Sequence, residues 1–230
     1  MQKLVVLSGA GMSAESGIMT FRDMGGMWEQ YNIEEVASPI AWQRNPQLVL
    51  DFYNIRRKQL MEVKPNAGHF ALADLQQKYN VQIITQNVDN LHERAGSTNV
   101  MHIHGELMKV RSEADETLIQ EMNHWELKLG DTAEDGYQLR PHIVWFGEAV
   151  PMIEEAIPII QEADLFMVIG TSLQVYPAAG LLSYAPQEIP KYYIDPHADK
   201  MHISNMISLN EKAGVGLPKL AKQLLNKAST

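Results

Sequence analysis

The sequence predicts an α/β protein built on a Rossmann-like, doubly wound parallel sheet with a small inserted module. Three observations predict it. A short apolar run, "KLVVLS" (3–8), feeds the glycine-rich turn "GAGMSA" (9–14). Further apolar runs alternate with segments of helical spacing, as in a parallel sheet covered by helices. One stretch, 112–138, is acidic and has no period, which reads as the insertion. With 230 residues, 45% hydrophobic and 20% charged, the chain is an ordinary globular protein able to bury its own core.

Element by element, the first strand leads into Gly9, Gly11 and Ala14, the G-x-G-x-x-G/A spacing of a dinucleotide-binding turn, and a short helix begins near Ser13. Glycines there allow a tight turn and the approach of a pyrophosphate to free N–H groups at the helix start. Alone the motif is weak. A hydride-transferring Rossmann enzyme needs a second strand ending in an acid about 20 residues on, to hold the ribose. Residues 17–39, "GIMTFRDMGGMWEQYNIEEVASP", contain no such strand and read as a long covering loop, which weakens the dehydrogenase reading.

"NPQLVLDFYNIRRKQLMEV" (45–63) starts a helix at Asn45 and Pro46, and "PNAGHFALADLQQKY" (65–79) a second, capped by Asn66. "VQIITQNVDN" (81–90) and "NVMHIHGELMKV" (99–110) read as strand followed by loop, the latter around Gly105. "PHIVWFGEAV" (141–150), "ADLFMVIGTSL" (163–173), "IPKYYIDPH" (189–197) and "MHISNMISL" (201–209) read as strands, and "GLPKLAKQLLNKA" (216–228) as a closing helix. A net charge of −9 argues against nucleic-acid binding through the overall field. The chain has no cysteine, which excludes disulfides, thiol catalysis and thiolate metal sites. No run approaches the roughly 20 apolar residues of a membrane span, so a soluble, cytoplasmic protein without membrane association is expected.

Five blocks then stand in one register: "GAGMSAESGIMTFRD" (9–23), "TQNVDNLHERAG" (85–96), "HIHGEL" (102–107), "LRPHIVWFGEAVP" (139–151) and "GTSLQVYPAA" (170–179). In order and spacing the chain resembles the sirtuins, the NAD-dependent protein-lysine deacylases, over nearly its whole length. The resemblance implies one catalytic domain. Its Rossmann-like part would span about 1–30, 66–106 and 140–230, the helical part of a small domain about 31–65, and the remnant of a zinc module about 107–139. It also implies that NAD is consumed. The acyl-lysine amide oxygen expels nicotinamide from the ribose, a base takes a proton from a ribose hydroxyl, and free lysine and O-acyl-ADP-ribose leave.

By that resemblance His104, in the "HG" pair, is the catalytic base; imidazole titrates near working pH and can take and return a proton. His102 and His104 would share a strand face, which raises a metal site, but the spacing supplies no third ligand. Gly9, Ala10, Gly11 and Ser13, with Gly170, Thr171 and Ser172, are expected around the phosphates and ribose. Gln86 would reach the nicotinamide ribose, Asn87 the reacting centre, and Asp89 with the Val88 backbone the carboxamide. Phe21 would cover the ribose and Arg22 order the covering loop. Asp195 stands where many sirtuins carry Asn, a change that favours NAD over NADP, and Ala213 would border the adenine. An Asn cap on the helix in "DNLHERAG" is compatible with these contacts.

Val144, Phe146, Gly147 and Val175 would line an extended acyl-lysine peptide held by strand addition, although the apolar ones also suit buried strands. Tyr53 and Arg56, three apart and so on one helix face, match the pair with which class III sirtuins grip a succinyl or malonyl carboxylate. Met24 stands near a position where that class often has alanine. Ser112, Asp115, Thr132 and Asp135 fall where the zinc thiolates would be; two hydroxyls and two carboxylates are poor zinc ligands, so no metal is expected. A hydrogen-bonded knot, with packing from Trp125 and Tyr137, would take its place. Two other functions stay open on the residues: a non-catalytic NAD or ADP-ribose-binding module, and a protein ADP-ribosyltransferase.

Overall fold

A computed structural model describes residues 1–18, 33–198 and 205–226. Its main sheet is parallel throughout, with strands β1 (Lys3–Ser8), β2 (Asn80–Thr85), β3 (Val100–His102), β7 (Leu165–Ile169), β8 (Lys191–Ile194) and β9 (Met206–Leu209). They lie in the order β3-β2-β1-β7-β8-β9. Strand order reverses between β1 and β7, the switch point at which doubly wound folds open a crevice.

Alternation along each strand fills both faces. Leu4, Val6, Ile83, Met167, Ile169 and Ile194 pack under the helices Ala67–Leu75 and Ala213–Asn226. Val5, Leu7, Ile84, Phe166, Val168 and Tyr193 pack under Met152–Gln161 and the 3₁₀ turn Ala178–Tyr184. Both expected caps are present. The Asn45 side chain accepts from Leu48 N at 3.1 Å, and Asn66 forms a reciprocal box with Gly68 N and the His69 ring.

A second, antiparallel sheet has the order β5-β4-β6, from β4 (Gly105–Ser112), β5 (Ile119–Glu121) and β6 (Leu139–Ile143). It shares a core with the helix Pro46–Glu62, including Trp42, Phe52, Tyr53, Leu107, Leu127 and Trp145. The run expected as a strand over 141–150 therefore ends at Ile143. Beyond it Phe146 N donates to Ala37 O and Glu148 N to Trp145 O, bonds of a turn rather than a ladder. The closing helix starts at Ala213, ahead of Gly216, and the expected strand over 201–209 is seen as Met206–Leu209. Among the described residues no helix is long and apolar enough to cross a membrane.

Candidate functional site

The loops leaving β1 and β7 lock together at the switch point. Gly9 N donates to Ile169 O at 3.0 Å and Gly11 N to Gly170 O at 2.8 Å. A Cβ on Gly9 would lie 2.6 Å from Thr171 Cβ, and one on Gly11 2.8 Å from Gly170 Cα. Gly170 has φ +59°, and a Cβ there would run into Met12 N. The sequence reading assigns these glycines to the approach of a pyrophosphate. The structure shows that backbone-on-backbone packing demands them first, and a smooth cradle results. The helix after the turn is Gly11–Ala14, so it starts before Ser13. Ala10 is half-buried at the turn, and Ser13 is buried, its Oγ accepting from Asn87 Nδ2 at 3.1 Å.

The end of β2 joins this cradle. Gln86 Nε2 donates to Thr171 Oγ1 at 3.1 Å, bridging the two loops. Asn87 N donates to Thr85 Oγ1, which also accepts from Ser8 Oγ at 2.8 Å, and Ser8 Oγ lies 3.0 Å from His92 Nε2. Asp89, not Asn90, caps the following helix: Asp89 Oδ1 accepts from Leu91 N at 3.1 Å, while Asn90 makes no capping bond. An Asn has the wrong backbone position here, because the free N–H points at the preceding carboxylate. Burial pushes the Asp89 carboxyl up, opposed by hydrogen bonds from Leu91 N and Ser13. Val88 O accepts from Leu107 N at 2.7 Å, and its half-buried side chain packs on the core that holds Tyr53.

His104 sits in the turn after β3, beside this loop. Its Nδ1 is 3.1 Å from Gln86 O; a carbonyl only accepts, so Nδ1 carries the hydrogen. Nε2 is left with its lone pair and no hydrogen-bond partner among the described residues. Burial lowers the pKa of this ring below its usual value, which keeps it neutral, with the Nε2 lone pair free to take a proton. Gly105, φ +81°, is required by the close pass of the His142 carbonyl, a backbone and not a ligand.

His102 does not share the His104 face, because β3 ends at His102. Its Nδ1 is 2.8 Å from Asn87 O and its Nε2 2.7 Å from Glu93 Oε1. Burial opposes its charge, but the Glu93 carboxylate prevails and raises its pKa. Both nitrogens are engaged, and no group of three or more His, Cys, Asp or Glu among the described residues is placed to hold a metal ion.

Tyr53 and Arg56 lie on the inner face of the helix Pro46–Glu62. Tyr53 is 1% exposed, and burial drives its phenol up to about 12. Arg56 is half-buried, its guanidinium carbon 5.9 Å from the Tyr53 ring centroid and 5.7 Å from that of Phe52. Burial lowers its pKa, with Tyr53 and Asp89 acting the other way. The segment after β6 links this pair to His104: Val144 N donates to His104 O at 3.0 Å, and Trp145 Nε1 donates to Tyr53 Oη at 3.0 Å. Val144 is half-buried, Phe146 and Val175 are 51% and 45% exposed, and Gly147 has φ +92° with nothing within 4 Å of its open side. Phe146 and Val175 are thus surface groups, not buried strand residues.

Sequence reasoning missed Trp145 and Arg57. Arg57 is fully buried; its Nε donates to Trp125 O at 2.8 Å and an Nη to Asn54 Oδ1. Asn54 in turn exchanges two 2.9 Å bonds with the Leu127 backbone, strapping the inserted module to the helix. The i, i+4, i+7 spacing of Tyr53, Arg57 and Leu60 was the available signal. In the module Ser112 Oγ donates to Asp135 Oδ2 at 2.6 Å and accepts from Ala114 N and Asp115 N. Asp115 Oδ1 holds Thr117, and Thr132 bridges to Gln138. The knot exists, but Trp125 and Tyr137 do not pack it: they are 36% and 55% exposed, and Leu127, Ala133 and Leu139 fill the interior.

At the far end Ser172 and Asp195 are half-buried, Asp195 Oδ1 accepting from His197 N at 2.9 Å. Ala213 is buried, with its carbonyl against Gly68, and Glu15 accepts from Gly214 N at 2.6 Å. Phe21, Arg22 and Met24 lie outside the described residues.

The Sir2 family profile matches residues 9–177. A Helicobacter pylori protein described as an NAD-dependent protein deacylase is 56% identical over 232 residues, covering 100% of this chain and 100% of its own length. A Bacteroides thetaiotaomicron protein of the same description is 58% identical over 231 residues, covering 98% of each. Among solved structures, a Sir2 homologue in complex with NAD superposes with a TM-score of 0.89 at 38% identity, over 97% of this chain and 89% of that one. A Sir2 complex with deacetylated p53 peptide and 3′-O-acetyl ADP ribose superposes at 0.76 and 28% identity, over 98% and 94%.

Proposed function

This chain belongs to the Sir2 family and is an NAD-dependent protein-lysine deacylase, and from that premise we propose that it removes succinyl and malonyl groups from lysine, and acetyl groups more slowly. NAD is its co-substrate and supplies, when bound, a ribose whose bond to nicotinamide gives way to the acyl oxygen. The cradle of Gly9, Ala10, Gly11, Ser13, Gly170, Thr171 and Ser172 is assigned to the phosphates and a ribose, because it lies at the switch point of the sheet, where the loops leaving β1 and β7 pack together. Asp195 and Ala213 border the adenosine end. Gln86 reaches the nicotinamide ribose, Asn87 the reacting centre, and Asp89 with Val88 the carboxamide, with Phe21 and Arg22 as further NAD-binding residues. His104 Nε2, bare and neutral, takes the proton of a ribose hydroxyl. The acylated peptide lies along Val144, Phe146, Gly147 and Val175, bound mainly through its backbone.

One observation carries the acyl preference. The Tyr53 hydroxyl accepts from Trp145, yet no described residue accepts its own hydrogen, although the side chain is buried. A buried O–H without an acceptor among the described residues, beside a guanidinium in an apolar core, is complementary to a carboxylate. The test is incubation with NAD and peptides that differ only in a succinyl, malonyl or acetyl group on one lysine. Free lysine and O-acyl-ADP-ribose should appear in step with nicotinamide, fastest for the two acidic groups. Equal or faster removal of acetyl contradicts the preference.

A further inference from the structure

The indole of Trp145 is held by several contacts. Its face carries the Arg140 guanidinium, with Cζ 3.4 Å from the ring centroid, and Trp42 packs beside it in a tilted pair, centroids 5.8 Å apart at 41°. Arg140 is held by Glu148 through bonds of 2.8 and 3.2 Å and donates to Ile143 O. Glu148 Oε2 also accepts from Trp145 N at 2.8 Å, closing the ring of contacts. From this fixed position Nε1 donates to Tyr53 Oη at 3.0 Å.

A phenolic hydrogen lies in the ring plane and has two places to point. An N–H donor on one side denies it that side, because two hydrogens cannot share one gap. We propose that Trp145 is a specificity-determining positioning residue: by occupying the Tyr53 oxygen from one side it turns the Tyr53 hydrogen toward the carboxylate of an acidic acyl-lysine. The inference rests on the acidic-acyl reading above. The raised Tyr53 pKa, about 12, is consistent with a phenol that stays a donor throughout the working range. The same segment bonds Val144 N to His104 O, so donor orientation and peptide seat are set by adjacent residues of one strand end.

The experiment compares kcat and KM for matched succinyl and acetyl peptides in the unaltered protein, Trp145→Phe, Tyr53→Phe and the double variant. Trp145→Phe keeps a ring for Arg140 and Trp42 but removes the N–H. Its succinyl KM should rise about 5–10-fold, with kcat changed far less, and the succinyl-to-acetyl ratio of kcat/KM should fall by the same factor. In the Tyr53→Phe background the Trp145 change should add nothing to the ratio, since its effect runs through the lost oxygen. An unchanged ratio in Trp145→Phe, or equal falls in both backgrounds, overturns the proposal. If the unaltered protein shows no succinyl preference, the acidic-acyl reading itself is what fails. Should Trp145→Phe not fold, benzothienylalanine at 145 keeps the bicyclic shape with sulfur in place of N–H, and the same ratios decide.

Discussion

The two ends of the site are built from different materials. At the nucleotide end, Gly9, Gly11 and Gly170 bring two loops together with no room for a Cβ, and the surface they offer is backbone. At the proposed acyl end, Tyr53, Arg56, Trp145, Arg140 and Glu148 form a chain of side-chain contacts. A backbone cradle recognises what every substrate shares and tolerates little change. On the proposed reading, the side-chain cluster selects among acyl groups and can be altered by degrees. His104 stands between them, hydrogen-bonded to Gln86 on one side and to Val144 on the other.

The largest expected effect falls on that shared residue. His104→Ala should lower kcat/KM by about 10²–10⁴ for succinyl and acetyl peptides alike, the usual contribution of a positioned base. Steady-state nicotinamide release checks it, and a loss confined to one acyl group would break the division between the ends.

The same substitution at two glycines sharpens the comparison. Gly170→Ala must hold φ +59° and displace Met12 N, and is expected to destabilise by about 3 kcal/mol or more. Gly147→Ala meets only its φ of +92°, with nothing within 4 Å, and should cost about 1–2 kcal/mol. Urea unfolding midpoints compare the two, and equal losses would deny the cradle its tight packing.

Acid acts beneath the nucleotide end. His69 and His92 are fully buried; burial lowers the first to about 4 and the second well below its usual value. Both are neutral when folded, while the unfolded chain takes up protons near 6.5. Protons therefore favour unfolding. Stability is complete above about pH 6.5 and falls toward pH 4, by up to about 1.4 kcal/mol per pH unit for each histidine. His102, raised by Glu93, works in the opposite sense and reduces the net loss. Thermal unfolding at pH 7.5, 6 and 5 should show the midpoint dropping with pH; a flat profile would contradict the buried neutral pair.

Smallest is the effect in the inserted module. Ser112→Ala removes one bond to Asp135 and two from backbone N–H groups, for about 1–2 kcal/mol. A chelator should leave the unfolding temperature where it is, since hydrogen bonds tie these turns; a clear drop would mean that a metal does.

Much of this was legible in the sequence, and particular residues show why the rest was not. The parallel sheet follows from buried apolar runs whose period is local. The Tyr53 and Arg56 pairing follows from helical geometry alone. Trp145 was hidden because "PHIVWFGEAV" has a strand's composition, and only the long-range bond from Phe146 N to Ala37 O shows that the ladder has ended. Arg57 gives no local signal of burial, since arginines are rarely buried; the carbonyl that receives it, Trp125 O, lies far along the chain, and the Asn54 amide meets it only once the helix forms. Trp125 and Tyr137 were given interior places because aromatic rings usually have them, and the module is too small to grant it.

The most direct test of the central claim, that Arg56 with Tyr53 selects acidic acyl groups, is the ratio of succinyl to acetyl kcat/KM before and after Arg56→Met. Loss of a charged hydrogen-bond partner should lower that ratio by about 10–100-fold. A ratio that stays the same while both activities fall together would contradict the account.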